Sequence, residues 1–563
     1  MAYQGTKESS SEDTNMPDLE SAAKVLMKFE SPVQLQQLIN DGDCTIFDQY
    51  LAAVVIVQQL LELGTFPGYE TQGTCATNVV QTFFQETLYS INTMTNSVAL
   101  KSTVYSSSLS SSSGYELQGS YNITAQGQLS PEQLYCLCST VKRLNSAECL
   151  RNCLEAYRIS RQNVVMARFW RFGIKNWPYY DHEELAAKIR SWIHAVNTFY
   201  HTIFPQERQY YERIFADARG VEYDNYFQAI LEPVATNLNK LAHISPTTSF
   251  QNLFAVLDLY KALLSILPEI KKMFHTVSFA YISDRASQTI TSLETIARRL
   301  FSTFKDAVLN ESSNTLSPSG GIHYMTDYTM NFVTSILLYK DVLTNIIVTR
   351  PTESLGNEAD EQFLEASGGT PLQLHMLWIM ISLRKNLESK STNYKDRSLG
   401  RVFIMNNLNY MTKIITGDPE LLEMIGTEYQ TKLSKDISQA AQDYVSSIWG
   451  GVLYCSRLDG LSYKIPFVKG ILRNSVKKRF KSFNTAFEQV CQAQSTRIIP
   501  DTHLRAQLHE LILSKLLPAY KSFLEKFGKH IQSERYKEKC IKYSSEDLQN
   551  KIENLFLEYL RVN

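Results

Sequence analysis

Proline and glycine are scarce. The chain carries 16 Pro and 23 Gly in 563 residues, about half the average usage. That leaves little punctuation for hairpins and tight turns and argues against a β-rich protein. The nine cysteines are an odd number and fit free thiols better than a disulfide frame. An excess of charge of one sign is also missing. With 56 Lys and Arg against 57 Asp and Glu the net charge is −1, so the whole chain is no nucleic-acid or membrane polyelectrolyte. Long hydrophobic runs are absent: the best, YLAAVVIVQQLLEL at Tyr50–Leu63, is broken by paired glutamines and too short to span a bilayer. The opening MAYQGTKESSSEDTNMPDLE has neither the apolar core nor the cleavage pattern of a signal peptide. Ala2 stands where myristoylation requires glycine, and the closing EYLRVN is no prenylation box. The expectation is a soluble cytoplasmic protein whose glycosylation-like triplets at Asn122 and Asn310 stay unmodified.

Signatures of chemistry are missing too. There is no GxxxxGK[ST], no GxGxxG, no HExxH among ten histidines and no Ser/His/Asp arrangement. Tyr180–His182 with Glu183 and Glu184 could supply a carboxylate–imidazole pair, but they sit where a polar helix start is expected, and a capping role is simpler. Cys136, Cys138, Cys149 and Cys153 could offer zinc four thiolates. Their spacing does not match a zinc knuckle, and on a helix Cys136 and Cys138 would point about 200° apart. Buried core thiols are the simpler account. No metal, cofactor or enzymatic activity is expected.

Helical periodicity is abundant. Phe250, Phe254, Leu257 and Leu264 step at helical intervals toward Pro268, which is expected to end that segment. Met325, Tyr328, Phe332, Ile336, Tyr339 and Leu343 follow a break at Pro318, Gly320 and Gly321. Similar stripes recur in Ala186–Phe215, Leu372–Leu387 and Ser434–Leu453, with no sustained period of two. The fold class is all-α. Asp306–Gly321 and Arg350–Thr370 read as loops between helical blocks. The chain divides into a polar, disordered N-terminus at 1–16, a helical assembly region at 17–100 and a Ser-rich linker at 101–128. Helical segments then fill 129–320, 321–460 and a basic C-terminal bundle at 461–563.

The balance of charge is local. From Leu461 onward 19 Lys and Arg stand against 10 Asp and Glu, a net +9 that leaves −10 for the remainder. Lys464, Lys469, Arg473, Lys477, Lys478, Arg479 and Lys481 form one group without an acid among them. Lys521, Lys526, Lys529, Arg535, Lys537, Lys539 and Lys542 form another, diluted by Glu525, Glu534 and Glu538. In KKRFKSF, Phe480 and Phe483 are spaced for one buried face and the bases take the others, so a packed helix with a basic surface is expected rather than a nucleic-acid site. The closing strip ends in Ser544 with Asp547 three residues on, a capping-box-like start. Leu548, Ile552, Leu555 and Tyr559 then line one helix face. If Lys539–Tyr543 is extended, Lys539 and Lys542 point to opposite sides; a turn would bring them to one.

Several blocks, in order over about Leu129–Leu557, resemble the seventy-kilodalton subunit of the exocyst, the vesicle-tethering complex, in its plant-expanded form. They are NCLEAYRISR at Asn152–Arg161, AKIRSWIHAVNTFYHTIFPQERQYYERIF at Ala187–Phe215, GGIHYMTDYTMNFVTSILLY at Gly320–Tyr339, KSTNYKDRSLGRVFIMNNLNY at Lys390–Tyr410, KRFKSFNTAF from Lys478, and KCIKY at Lys539–Tyr543. Tyr324, Asp327 and Asn409 stand where the family carries Pro, Arg and His, which marks a diverged paralogue. The resemblance implies an elongated rod of stacked antiparallel helical bundles without catalysis. It implies assembly with other exocyst subunits through the N-terminal part, and small GTPases and other regulatory proteins as further partners. It also implies peripheral association with the plasma membrane and secretory vesicles, through phosphoinositide binding at Lys539, Lys542, Lys537, Arg535, Lys529, Lys477, Lys478 and Arg479. The alternative is a diverged helical adaptor that recruits protein partners and has no exocyst or lipid role.

Overall fold

The structure is a computed structural model. It describes residues 19–28, 44–62 and 127–557, apart from 144–146, 174–181, 218–220, 243–248, 312–315, 353, 466–467 and 532–539; positions 78, 82 and 85 are also described. The expected disordered N-terminus at 1–16 and nearly all of the Ser-rich linker lie outside these residues. Two compact units divide the chain, Met1–Ala297 and Arg298–Asn563. The boundaries expected at 320/321 and 460/461 both fall within the second unit.

In the first unit α1 (Leu19–Met27) and α2 (Cys44–Glu62) pair through Ala22 and Ala53. The next helix, α3 (Pro131–Arg143), opens on a reciprocal cap: Gln133 N–H donates to Ser130 Oγ while Ser130 N–H donates to Gln133 Oε1. Asp48 of α2 accepts from Tyr135 and, at 2.6 Å, from Arg143 of α3. Then come α4 (Ala147–Arg171), α5 (His182–Thr198), α6 (Phe204–Ile214), α7 (Val221–Ala242), α8 (Leu253–Met273) and α9 (Ala280–Leu309), which runs on into the second unit. A π-turn at Phe199–Ile203 joins α5 to α6, with Phe204 N–H donating to Phe199 O. Pro205 explains it: without an N–H it cannot bond back to His201, so the ladder widens by one residue.

A buried charge cluster locks α4 to α6. Arg161 grips both oxygens of Glu207, at 2.9 and 2.5 Å, and Arg168 Nη1 lies 3.5 Å from the same carboxylate. All three side chains are at most 1% exposed. Burial opposes the Arg161 charge, yet the carboxylate more than offsets it and raises the pKa. At Arg168 burial prevails and pulls the pKa down to about 10. Two of the quoted sequence blocks thus meet at one ion cluster. Cys136, Cys149 and Cys153 are buried, and Cys138 Sγ donates to Arg213 O.

The second unit continues with α10 (Tyr324–Leu337), α11 (Lys340–Ile346), α12 (Glu358–Ala366), α13 (Pro371–Thr392), α14 (Arg397–Gly417), α15 (Pro419–Ile425) and α16 (Thr427–Cys455). It closes with α17 (Arg473–Gln494), α18 (Thr502–Phe527) and α19 (Ser545–Glu553). Buried residues ring α13 on nearly every side, with Trp378 fully enclosed. Asn406 Nδ2 donates to Gly320 O at 2.7 Å and Ile498 O at 2.9 Å. Asn407 Oδ1 accepts from His323 N and Thr326 Oγ1. The Gly-Gly turn and the Asn-Asn pair are two halves of one brace. Gly320 has φ +76°, and a Cβ there would press on Leu399 and Val402 at 3.1 and 3.2 Å.

Two expectations need correction. Pro268 does not end α8, because Ile266 and Ile270 on either side of it are buried and packing carries the helix through. Arg350–Thr370 is not wholly loop: α12 starts at an Asn357 cap, and its Asp360 accepts from Arg384 and Lys432 at 2.8 Å. The all-α body also contains a small antiparallel hairpin, β1 (Ser462–Ile465) and β2 (Val468–Ile471), pairing Lys464 with Lys469.

Replacing Glu207 by Gln leaves two buried guanidinium groups without their carboxylate. The expected loss is about 3–5 kcal/mol, measured as a lower thermal midpoint. Arg161→Met should cost less, because Arg168 still meets Glu207. Equal midpoints for Glu207→Gln and the parent would contradict the assignment.

Candidate functional site

The basic C-terminal bundle is built on α17. Val476, Phe480, Phe483 and Phe487 recur at helical spacing and are buried. Phe480 meets Phe523 at 4.3 Å and Phe483 stacks on Tyr520 at 4.6 Å, which docks α17 on α18. Leu461, Phe527, Ile531 and Cys540 complete the core beneath. The opposite face presents Lys478 and Lys481 to solvent, and Arg473 is exposed at the first turn.

Backbone carbonyls pin the closing strip across these two helices. Asn484 Nδ2 donates to Cys540 O at 3.0 Å, and Tyr520 OH donates to Tyr543 O at 2.7 Å. Cys540 and Tyr543 are buried, which leaves Lys542 facing outward. The Ser544–Asp547 capping box starts α19, whose Leu548 and Ile552 are buried. Leu555 O then bonds His509, and Phe556 O accepts from Ile499 N–H. Tyr559, expected on that same face, lies outside the described residues.

Of the eight expected lipid-binding residues, Arg535, Lys537 and Lys539, the last with its expected geometry relative to Lys542, also lie outside the described residues. Lys529 and Lys478 are exposed and Lys477 is half-buried. Arg479 Nη1 donates to Tyr454 O at 3.1 Å, and its guanidinium lies 5.4 Å from the Tyr454 ring centroid. Lys542 Nζ is 2.6 Å from Glu488 Oε1, the oxygen that also accepts Tyr543 OH at 2.6 Å. Glu488 sits nine residues beyond Arg479, roughly 13 Å further along α17. The structure therefore places Lys477, Lys478 and Arg479 within one turn of α17, about 100° apart around its axis, and sets Lys542 apart, beside its own counter-charge. Sequence reasoning missed Glu488 and Tyr454. A lone acid on an otherwise basic helix was the available signal for the first, and the i, i+3 pair Tyr454 and Arg457 for the second.

Among the described residues no group of three or more His, Cys, Asp or Glu is placed to hold a metal ion, and no helix is long and apolar enough to cross a membrane.

Residues 190–554 match the family model for the C-terminal part of Exo70, a subunit of the exocyst complex. The chain belongs to the Exo70 family. Exocyst complex component EXO70C2 of Arabidopsis thaliana is 28% identical over 412 residues, covering 72% of this chain and 58% of that protein. EXO70A1 of the same plant is 29% identical over 415 residues, covering 72% and 63%. Human exocyst complex component 7 is 26% identical over 314 residues, covering 54% and 42%. The chain spans about three-fifths of the length of the first two relatives, and identities this low mark a diverged paralogue. The crystal structure of Exo70p from S. cerevisiae superposes with a TM-score of 0.52 at 16% identity, covering 96% of this chain and all of that one. The helical fold is thus the Exo70 fold.

The Glu488 carboxylate is held below its usual range, first by the Lys542 hydrogen bond and then by the Tyr543 hydroxyl. A lowered carboxylate pKa means the contact is intact above the ordinary carboxylate range and is lost as pH falls through the folded value. At neutral pH Lys542 is therefore paired. Glu488→Gln should release it and raise affinity for anionic vesicles roughly fivefold, the weight of one charge at an anionic leaflet. Co-sedimentation reads this directly; unchanged or weaker binding would contradict it.

Proposed function

We propose that this chain is an exocyst subunit that helps tether secretory vesicles to the plasma membrane before fusion. It takes no catalytic part. It binds other exocyst subunits through its N-terminal part and anionic phosphoinositides through the basic face of the C-terminal bundle, and small GTPases and other regulatory proteins act on it there or elsewhere. It stays peripheral to the membrane. The observation that carries the lipid reading is α17: an aromatic stripe fixes one face in the core and leaves Lys478 and Lys481 outward. Each base near an anionic leaflet contributes about 1 kcal/mol, so several acting together give useful attachment.

The family match begins at residue 190 and leaves out the region assigned to assembly. That favours a second reading, a helical adaptor that keeps the fold but recruits other protein partners. Co-purification of the native protein separates the two, since sister subunits in the eluate support the tether and their consistent absence supports the adaptor. For the lipid surface, the full chain should pellet with vesicles containing phosphatidylinositol bisphosphate and not with neutral ones. Salt should weaken the binding. Lys477→Gln/Lys478→Gln should lower affinity about thirtyfold, from two charges at ~1 kcal/mol each. Pelleting indifferent to lipid charge would sink the proposal.

A further inference from the structure

At the end of α16 an exposed tyrosine is clasped by two arginines. Tyr454 is 59% exposed, an unusual place for so large a ring. The Arg457 and Arg479 guanidinium groups each lie 5.4 Å from its centroid. Arg457 belongs to the same chain end, its N–H bonded to Tyr454 O at 3.2 Å. Arg479 arrives from α17 and donates to that same carbonyl. Capping of a helix C-terminus accounts for this last hydrogen bond. It does not account for the ring, because any residue at 454 presents the same carbonyl.

The surroundings are of one kind. Leu472, at the head of α17, is 43% exposed, and Lys478 and Lys481 are exposed on that helix. Leu472 stands seven residues, roughly 10 Å, before Arg479 along α17, and Lys478 and Lys481 lie within a turn of Arg479. Aromatic rings of this type settle at the headgroup level of bilayers. A guanidinium held against a ring by cation–π attraction keeps its N–H edge for phosphate oxygens.

We propose that Tyr454 is an interfacial anchor. It enters the headgroup layer of an anionic bilayer, while Arg457 and Arg479 turn their N–H groups to lipid phosphates. The inference rests on the lipid-binding reading above and deepens it, by naming the residue that enters the membrane and a contact that is not purely electrostatic.

The test uses the full chain and phosphatidylcholine vesicles with and without phosphatidylinositol bisphosphate. Tyr454→Ser keeps the carbonyl and removes the ring; it should weaken vesicle binding about five- to tenfold, with a salt dependence like the parent's, since no charge is lost. Tyr454→Phe should stay within about twofold of the parent. Arg457→Gln/Arg479→Gln should lose about thirtyfold, and with a shallower salt dependence. Y454W should show fluorescence quenching by bromine-labelled acyl chains beyond that of the five native tryptophans. If the parent does not bind the anionic vesicles, the lipid reading falls and the anchor with it. If the parent binds but Tyr454→Ser binds equally and Y454W shows no added quenching, the anchor alone is overturned. Thermal midpoints equal to the parent's confirm that each variant is folded.

Discussion

The docking of α17 on α18 sets the character of the C-terminal bundle. Phe480 against Phe523 and Phe483 against Tyr520 bury the aromatic stripe and fix the rotation of α17 about its axis. Once that rotation is fixed, the bases between the aromatics have nowhere to go but outward. The same docking brings Asn484 and Tyr520 to the carbonyls of Cys540 and Tyr543, so the closing strip is seated by the helices it crosses. Lys542 emerges from this seat beside Glu488. The surface charge of the bundle is thus a consequence of its apolar packing.

A similar economy governs the family-like blocks. None of the contacts found for them is chemical machinery. Arg161 and Glu207 come from two separate blocks and close a buried ion cluster. Trp192 Nε1 donates to Leu238 O. Asn406 and Asn407 hold the Gly320–Gly321 turn. Asp327 accepts from Tyr410 OH at 2.6 Å, while Tyr324 stands half exposed at the start of α10. A residue signature can persist in a diverged chain because each member completes another's buried hydrogen bonds, and an orphaned partner would carry a desolvation penalty.

Most of the helical body was legible from spacing alone, since apolar residues three and four apart mark a helix whatever its neighbours. Ser544 and the Phe480–Phe483 pair act as the sequence suggested. What was not legible depended on the third dimension. Pro268 reads as a stop until Ile266 and Ile270 are seen to be buried around it. Asp360 sits in what reads as a loop because its partners, Arg384 and Lys432, are 24 and 72 residues away. Glu488 is an ordinary surface acid in the sequence, and only the return of the chain at Lys542 gives it a role. Tyr454 and Arg479 are 25 residues apart and meet through α16 and α17.

The Asn406 amide has a consequence for the order in which the chain matures. Its two acceptors are Gly320 O, 86 residues upstream, and Ile498 O, 92 residues downstream. During synthesis the upstream partner is already present when α14 leaves the ribosome, but the downstream one follows only after roughly 5–20 s at ordinary elongation rates. For that interval one arm of a side chain only 4% exposed in the finished fold is without its mate. The hydrogen bonds of the Asn406 amide are complete only once the chain at Ile498 has arrived.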